Sequence, residues 1–563
     1  MQKIKLIISI LVAFLLFGFI GSNSVIADLQ DPGERDQIGT NQTNPFGIPD
    51  LTVLDQNIFL PLIFNNFCKS PYDSPFSVQI AGLSDLTTTA LMTKLTRAEI
   101  DQLKEEQIKE LDEIFSTLVT YLADSGAGWA RVYIDWAQIE QNKGIHNWAW
   151  YDEKLSLVSS TGVKMIATIA NPPAWAAVNP NGTGEIGTND ACSNVISDNS
   201  DYYNFISELV GRYKTAPYNI HVWEILNEPD AMPGYRCGGG LVTYGRNGTG
   251  YGELANGAAQ LIKSLDPSAK IIMGGLAYDW FYGVGEAPDG KFYRYFIDDF
   301  AAEGNGVNSI DAWNFHFFKD FAPEWERWTI GNLPTCGPVS DGIGLTYSTY
   351  GTGVIAKGSH LINRMKTCYG IDKPLWISEV GHHGTTEETI PVDQNPENYD
   401  LNNQARYVFK VYAQALSLGT ENVTWYALKI VRSVTTNDYQ GLLDDNNNPK
   451  PAYYAYQTLT NELDGYGFVR TINIGSGNEA YEFTNPCEGT KIIAWYNTVD
   501  ENANSNMTIS GKTNIQLVYR PGPEGGVVNQ SITDGGSGDL DGLINNSISI
   551  RLTLEPVIIN LNP

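Results

Sequence analysis

Positive charge is what this chain is short of. Its 563 residues carry 36 Lys and Arg against 64 Asp and Glu, a formal net charge of -28. Like charge repels a phosphate backbone and an anionic lipid surface, so nucleic acid and membrane headgroups are excluded as partners and a neutral ligand fits better. Histidine and cysteine are also scarce, six of each, and neither C-x-x-C nor H-E-x-x-H occurs. Those are the spacings with which zinc sites are built, so no metal and no cofactor is expected.

Long apolar runs are missing too, with one exception near the start. There "MQKIK" precedes the 15-residue run "LIISILVAFLLFGFI", and "GSNSVIADLQ" follows with small residues at Val25 and Ala27. A basic stretch, a short apolar run and small residues describe a signal peptide over residues 1–27, cut near Ala27. A membrane span needs about 20 apolar residues, which leaves an uncleaved anchor as the alternative. No cysteine lies near the cut, against a lipid anchor. The expected location is secreted or periplasmic, with no stable membrane insertion after cleavage. In that compartment the six cysteines are compatible with three disulfides, in fifteen possible connectivities.

What is abundant is aromatic: 30 Tyr, 21 Phe and 13 Trp. Core packing can absorb them, and flat rings also suit the apolar faces of sugars. Residues 28–69 begin rich in Asp, Asn, Gln, Pro and Gly and end in "NIFLPLIFNNF", a tether with a docking segment. From 70 to 462 strand-like runs alternate with helical stretches. The runs are "FSVQIAG" (76–82), "WARVYIDW" (129–136), "VKMIATIA" (163–170), "IHVWEILNE" (220–228), "KIIMGG" (270–275), "IDAWNFHFF" (310–318), "PLWISEV" (374–380) and "NVTWYAL" (422–428). Helical periodicity marks "RAEIDQLKEEQIKELDEIFSTLVTYLAD" and "YYNFISELVGRYK" between them. Eight strands separated by helices spell an α/β fold, a (β/α)8 TIM barrel, with long insertions after strands three, four and six. From 463 to 563 the pattern becomes short alternating runs between Gly, Pro, Asn and Asp, a small antiparallel β-sandwich. Within it "DGGSGDLDGLINN" lacks the spacing of a calcium loop and reads as a turn.

Two carboxylates then stand out. Glu228, in "HVWEILNEPD", ends strand four beside Asn227 and a proline, and Glu379, in "PLWISEVGHHG", ends strand seven. On a barrel both project over the C-terminal rim, where glycoside hydrolysis needs one carboxylic acid and one carboxylate across the scissile bond. The chain holds its own controls: "LEP" at 554–556 lies in a plain β pattern and "ISEL" at 206–209 in a helical one, so neither dipeptide means anything alone. Position at the strand end carries the signal.

"WEILNEP" and "WISEVG", on strands four and seven, resemble the glycoside hydrolases of clan A. Within the clan the chain is most similar to family 39, whose barrel is likewise followed by a sandwich; the resemblance spans about 70–563. It implies a retaining glycoside hydrolase that acts on a carbohydrate. Glu228 would be the acid/base with a raised pKa, Glu379 the ionised nucleophile and Asn227 a contact to the sugar 2-hydroxyl. It further implies site roles for Arg131 in "WARVYIDW", His316 in "NFHFF" and Trp425 in "VTWYAL". Clan members often carry a Tyr two residues past that His, donating to the nucleophile; here the position is Phe318.

Bland readings stand beside these. Arg131 could pair structurally with Glu224, and Trp175 in "NPPAWA" is either a sugar platform or a loop anchor. Trp136 and Trp148 are expected to pack the second loop. Of His382 and His383, one is expected to line the cleft and the other to face solvent. Loop placement suggests disulfides Cys192–Cys237, Cys336–Cys368 and Cys68–Cys487. A binding protein without catalysis and a transglycosylase are the competing functions; the sequence carries no signal of oligomeric state.

Overall fold

A computed structural model describes residues 73–80, 105–181, 193–231, 244, 247–277, 292–302, 305–318, 328–329, 346–347, 353–385, 400–430, 439–498, 500–519 and 527–563. The expected signal peptide and the 28–69 tether lie outside the described residues. Eight strands form one parallel sheet: β1 Phe76–Gln79, β2 Trp129–Asp135, β3 Lys164–Ala170, β4 Val222–Ile225, β5 Lys270–Met273, β6 Trp313–Phe318, β7 Leu375–Gly381 and β8 Asn422–Trp425. They run in the spatial order β5-β4-β3-β2-β1-β8-β7-β6. Parallel bridges Ile272–Ala312 and Leu276–Phe315 join β5 to β6 and close the barrel.

Each strand leads to a helix on the outside: α1 Glu105–Asp124, α2 Ala149–Ser160, α3 Asn199–Tyr213, α4 Gly248–Leu265, α5 Phe292–Ala302, α6 Gly353–Tyr369, α7 Leu401–Leu416 and α8 Pro451–Leu463. Their starts obey local chemistry. Asp198, Asn247 and Asp400 accept backbone N–H bonds at the starts of α3, α4 and α7, and Pro451 opens α8, where its missing N–H costs nothing. Among the described residues no helix is long and apolar enough to cross a membrane.

The barrel strands are buried on both faces, so their runs are nearly continuous in apolar residues. Alternate positions such as Ala130, Val132 and Ile134 face the helices and join the main core. The inward positions form layers. The lower one is apolar, with Ile166, Val222, Ile272, Ala312 and Trp376 in one cluster. Above it each of six strands contributes one buried polar residue: Gln79, Arg131, Thr168, Glu224, Asn314 and Ser378. That layer is the floor of the rim.

The C-terminal part is antiparallel, as its alternation predicts. Strands β9 Gly467–Thr471, β10 Asn478–Asn485, β11 Gly489–Tyr496, β12 Ser505–Ser510, β13 Asn514–Tyr519, β14 Val528–Thr533, β15 Ser547–Leu552 and β16 Val557–Asn560 build a sheet in the order β9-β10-β11-β16-β13-β14 and a ribbon β12-β15. One face of the sheet, with Ile492, Ala494 and Ile559, packs on the ribbon's Met507, Ile548 and Ile550. The other face, with Tyr481, Ile493, Trp495 and Ile558, belongs to the barrel's own core. Polar ties flank it: Arg406 on α7 pairs with Glu555 at 2.5 Å, and Lys491 with Glu462 on α8 at 2.8 Å. The "DGGSGDLDGLINN" segment is a turn whose carboxylates accept backbone amides, Asp539 from Gly535 and Ser549, Asp534 from Asn545 and Asn546. Of the six cysteines only Cys368 and Cys487 are among the described residues, and neither is a free thiol. The expected pairing rests on partners outside them.

Candidate active site

Arg131 organises the floor. It is fully buried, and its guanidinium spreads four hydrogen bonds: Nε to Glu224 Oε2 at 2.7 Å, Nη1 to Gln79 Oε1 at 2.5 Å and Glu379 Oε1 at 2.6 Å, Nη2 to Asn227 Oδ1 at 2.8 Å. Burial opposes its charge, but Glu224 and Glu379 more than compensate and raise its pKa. Arg131 therefore pairs with Glu224, as the structural reading expects, and also reaches Glu379 and Asn227. Glu224 is saturated with donors: besides Arg131, Thr168 Oγ1 at 2.5 Å, Asn314 Nδ2 and Ser378 Oγ at 2.9 Å, and the Gly275 amide at 3.2 Å. Burial works against its charge, yet Arg131 and these hydrogen bonds hold its pKa below the usual value.

Glu228 reaches the rim through a strained turn. Leu226 and Glu228 take φ of 64° and 48°, the left-handed region that non-glycine residues avoid at a cost of about 1–3 kcal/mol each. The turn is clamped by what surrounds it. Ala231 N donates to Glu228 O, Asp230 accepts the Ala277 amide, and the turn packs so closely on β5 that a Cβ at Gly274 would lie 2.8 Å from Ile225 O and Pro229 Cδ. Gly275 is needed for a second reason: its Cβ would sit 2.2 Å from the His316 ring. The "GG" ending strand five thus makes room for both flanks of the site.

Glu379 arrives by a β-bulge. The β7–β6 register runs Ile377 to Phe315 and then Glu379 to His316, skipping Ser378. Adjacent residues of a regular strand face opposite sides, whereas the bulge lets both Ser378 and Glu379 point inward. Ser378 Oγ meets Glu224 and His316, and Glu379 meets Arg131.

His316 joins the two carboxylates. Its Nδ1 lies 2.9 Å from Glu228 Oε1 and 3.5 Å from Glu379 Oε2, and its Nε2 lies 3.0 Å from Ser378 Oγ. The Ser378 hydroxyl spends its proton on Glu224 and accepts from Asn314, so Nε2 must donate to it. One proton is left between Nδ1 and Glu228. It can sit on the carboxyl, giving a neutral acid, or on the ring, giving an ion pair, and so belongs to the couple. Burial would lower the His316 pKa, but the Glu379 charge and the Glu228 hydrogen bond raise it. One atom each of Glu228, His316 and Glu379 lies within 4.8 Å of the others, the one group among the described residues with the spacing to hold a metal ion.

The sequence reading has Glu379 ionised beside a Glu228 of raised pKa; in the structure the Glu379 pKa is itself raised: burial pushes it up, against His316 and Arg131, and the Glu228 charge adds to the push. A buried carboxyl facing the charges of both Glu228 and Glu224 cannot be read from a motif.

Asn227 is buried and accepts from Arg131 through Oδ1; since guanidinium only donates, its Nδ2 remains a donor. Trp425 is fully buried and gives its indole N–H to Gln440 O at 3.0 Å, so no ring face is open. Trp175 donates to Glu140 O at 3.0 Å and meets Trp136 edge-on at 5.6 Å, the contacts of a loop anchor. Trp136 and Trp148 both stack on Phe205, as packing residues do. His382 and His383 are both buried, so the expectation that one faces solvent is corrected: Tyr407 of α7 covers the first and Tyr439 the second. Phe318 stands edge-on to Tyr426 at 5.7 Å and brings no donor. The residues missed from sequence are Gln79, Thr168, Glu224 as a hub, Asn314, Ser378 and Tyr133.

The fold is shared with solved glycoside hydrolases. A family 39 glycoside hydrolase from the gut symbiont Bacteroides cellulosilyticus WH2 matches with a TM-score of 0.55 and 18% identity, over 80% of this chain and 78% of that one. A monomeric beta-xylosidase from Caulobacter crescentus CB15 gives 0.51 and 13% identity, over 88% and 98%. The catalytic domain of a family 30 xylanase C from Talaromyces cellulolyticus gives 0.51 and 14% identity, again over 88% and 98%. No protein-family model and no curated protein matches the chain. The chain has a clan A type fold similar to that of family 39, a barrel with a sandwich behind it.

Proposed function

We propose that this chain is a retaining glycoside hydrolase acting on a β-linked, neutral oligo- or polysaccharide. One observation carries the reading. Carboxyl groups from opposite walls of a closed barrel approach within 4.8 Å, one gripped by Arg131 and the other sharing a proton with His316. Retention calls for carboxyls about 5–5.5 Å apart, whereas inversion needs about 6.5–9.5 Å to admit a water. The fold hosts many chemistries, so the site and not the barrel supports the assignment. A beta-xylosidase and a xylanase among the similar structures suit a β-linked substrate.

In this reading Glu379 attacks the anomeric carbon as the Glu228–His316 couple gives its proton to the departing glycosidic oxygen. A glycosyl ester on Glu379 results. Glu228 then takes a proton from water, the water oxygen bonds to the anomeric carbon, and the ester breaks to restore Glu379. Asn227 Nδ2 is the donor available to a sugar hydroxyl. Export of the chain and disulfides at its cysteines belong to the same proposal, supported by the N-terminal pattern and by the absence of a free thiol at Cys368 and Cys487, the two cysteines among the described residues. An activated 2-fluoro sugar should label Glu379 alone, and NMR of the first product should show the substrate's anomeric configuration. An inverted product would overturn the mechanism.

A further inference from the structure

Among the described residues Glu379 is held on one side only. Arg131 donates to Oε1, while His316 Nδ1 stands 3.5 Å from Oε2 and is committed to Glu228 at 2.9 Å. A buried carboxylate with one open oxygen is costly. On β6 the wall beyond His316 offers only the Phe318 ring.

A donor lies on the opposite wall. Tyr133 follows Arg131 by two positions on β2, so the strand's alternation sends both side chains to the same face. The Arg131 guanidinium carbon is 5.3 Å from the Tyr133 ring centroid, and that guanidinium holds Glu379. Tyr133 is half-buried, and its hydroxyl makes no hydrogen bond among the described residues. Half-buried phenols normally find a partner. Asp135, the next inward position, is spent on Asn171 and on the backbone of Gln138.

Resting on the glycosidase reading above, we propose that Tyr133 is the positioning residue for Glu379, its hydroxyl donating to Oε2 when substrate closes the site. A neutral donor there favours the ionised carboxylate and fixes its plane, and it leaves a lone pair of the same oxygen for attack. Burial drives the Tyr133 pKa well above the phenol range, against Arg131 and with Glu379 and Glu228 assisting, so the hydroxyl keeps its proton across the working pH.

Tyr133→Phe removes the hydroxyl and nothing else. With the nitrophenyl β-glycoside that the parent cleaves fastest, kcat should fall about tenfold or more at nearly constant KM, the mark of an interaction made in the transition state. The acid limb of kcat should move to higher pH, because Glu379 in the substrate complex loses a donor to its charged form. The pH dependence of inactivation by an activated 2-fluoro glycoside should shift the same way, and the melting temperature should hold. Parent kcat with an unmoved acid limb, or a rise in KM alone, would overturn the inference. Glu379→Gln in parallel separates the two levels: if that variant still turns over, the glycosidase reading itself fails.

Discussion

Glu224 touches no substrate in the proposed reaction, yet replacing it should disturb both folding and catalysis. Glu224→Gln keeps the shape and exchanges one oxygen for an NH2. Oε2 accepts from Arg131 Nε and Thr168, and Oε1 from Asn314, Ser378 and the Gly275 amide. The hydroxyls can turn away. The Arg131 and Gly275 N–H groups cannot, and Asn314 is fixed by accepting the Ser378 amide through its other atom at 2.9 Å. Either orientation of the new amide therefore faces a donor with a donor. Removing one partner of a buried ion pair costs about 3–5 kcal/mol. Because the folded pKa of Glu224 lies below 4.5, its contribution is complete above that value and is lost as pH falls through the depressed one. The deficit of the variant should thus be full at neutral pH and shrink in acid. Catalysis should shift in the opposite sense to Tyr133→Phe: the Glu224 charge raises the Glu379 pKa, so its removal should move the acid limb of kcat/KM to lower pH. Denaturant unfolding at pH 7 and pH 4, with pH–rate profiles, checks both. A parent-like unfolding midpoint at pH 7 together with an unmoved acid limb would refute the hub.

Glu379→Gln should abolish turnover yet raise the melting temperature at neutral pH: a carboxyl whose folded pKa is raised penalises folding above that pKa, and the gain should vanish as pH falls toward 4.5. Glu228→Gln should lower the rate about 10²–10⁴-fold on substrates with poor leaving groups and least on nitrophenyl glycosides, measured by initial rates on both. Gly275→Ala should cripple the site by displacing His316, whose ring would lie 2.2 Å from the new methyl; a flattened pH–rate profile with retained secondary structure is the expected signature.

The barrel was legible because a strand buried on both faces leaves a long apolar run, and the rim carboxylates because they end such runs. The floor was legible in principle. Gln79, Thr168, Glu224, Asn314 and Ser378 are each a buried polar residue in a largely apolar strand, a costly placement unless they meet one another. What no pattern announces is the bulge at Ser378, which depends on how β7 settles between two neighbours. The Glu379 pKa is equally hidden, being set by burial and by charges on β2, β6, β4 and the turn after it. Trp175 remained open for the same reason: an indole beside a strand end serves sugar or loop according to contacts made 35 residues away in sequence.

The sandwich sheet is greasy on both sides, and that bears on how such a chain can evolve or be rebuilt. Ile492 and Ile493, or Ile558 and Ile559, send neighbouring side chains to the ribbon and to the barrel in turn. An appendage that floats on a tether can be swapped like a cassette, because its surface is finished before it meets its host. This one is unfinished until the barrel's core covers Trp495 and Tyr481, with Lys410 of α7 set 5.7 Å over the Trp495 ring, and that core is unfinished without it. Cutting at 463 would lay bare apolar surface on both pieces, so barrel and sandwich are a single unit of packing rather than an enzyme and a spare part.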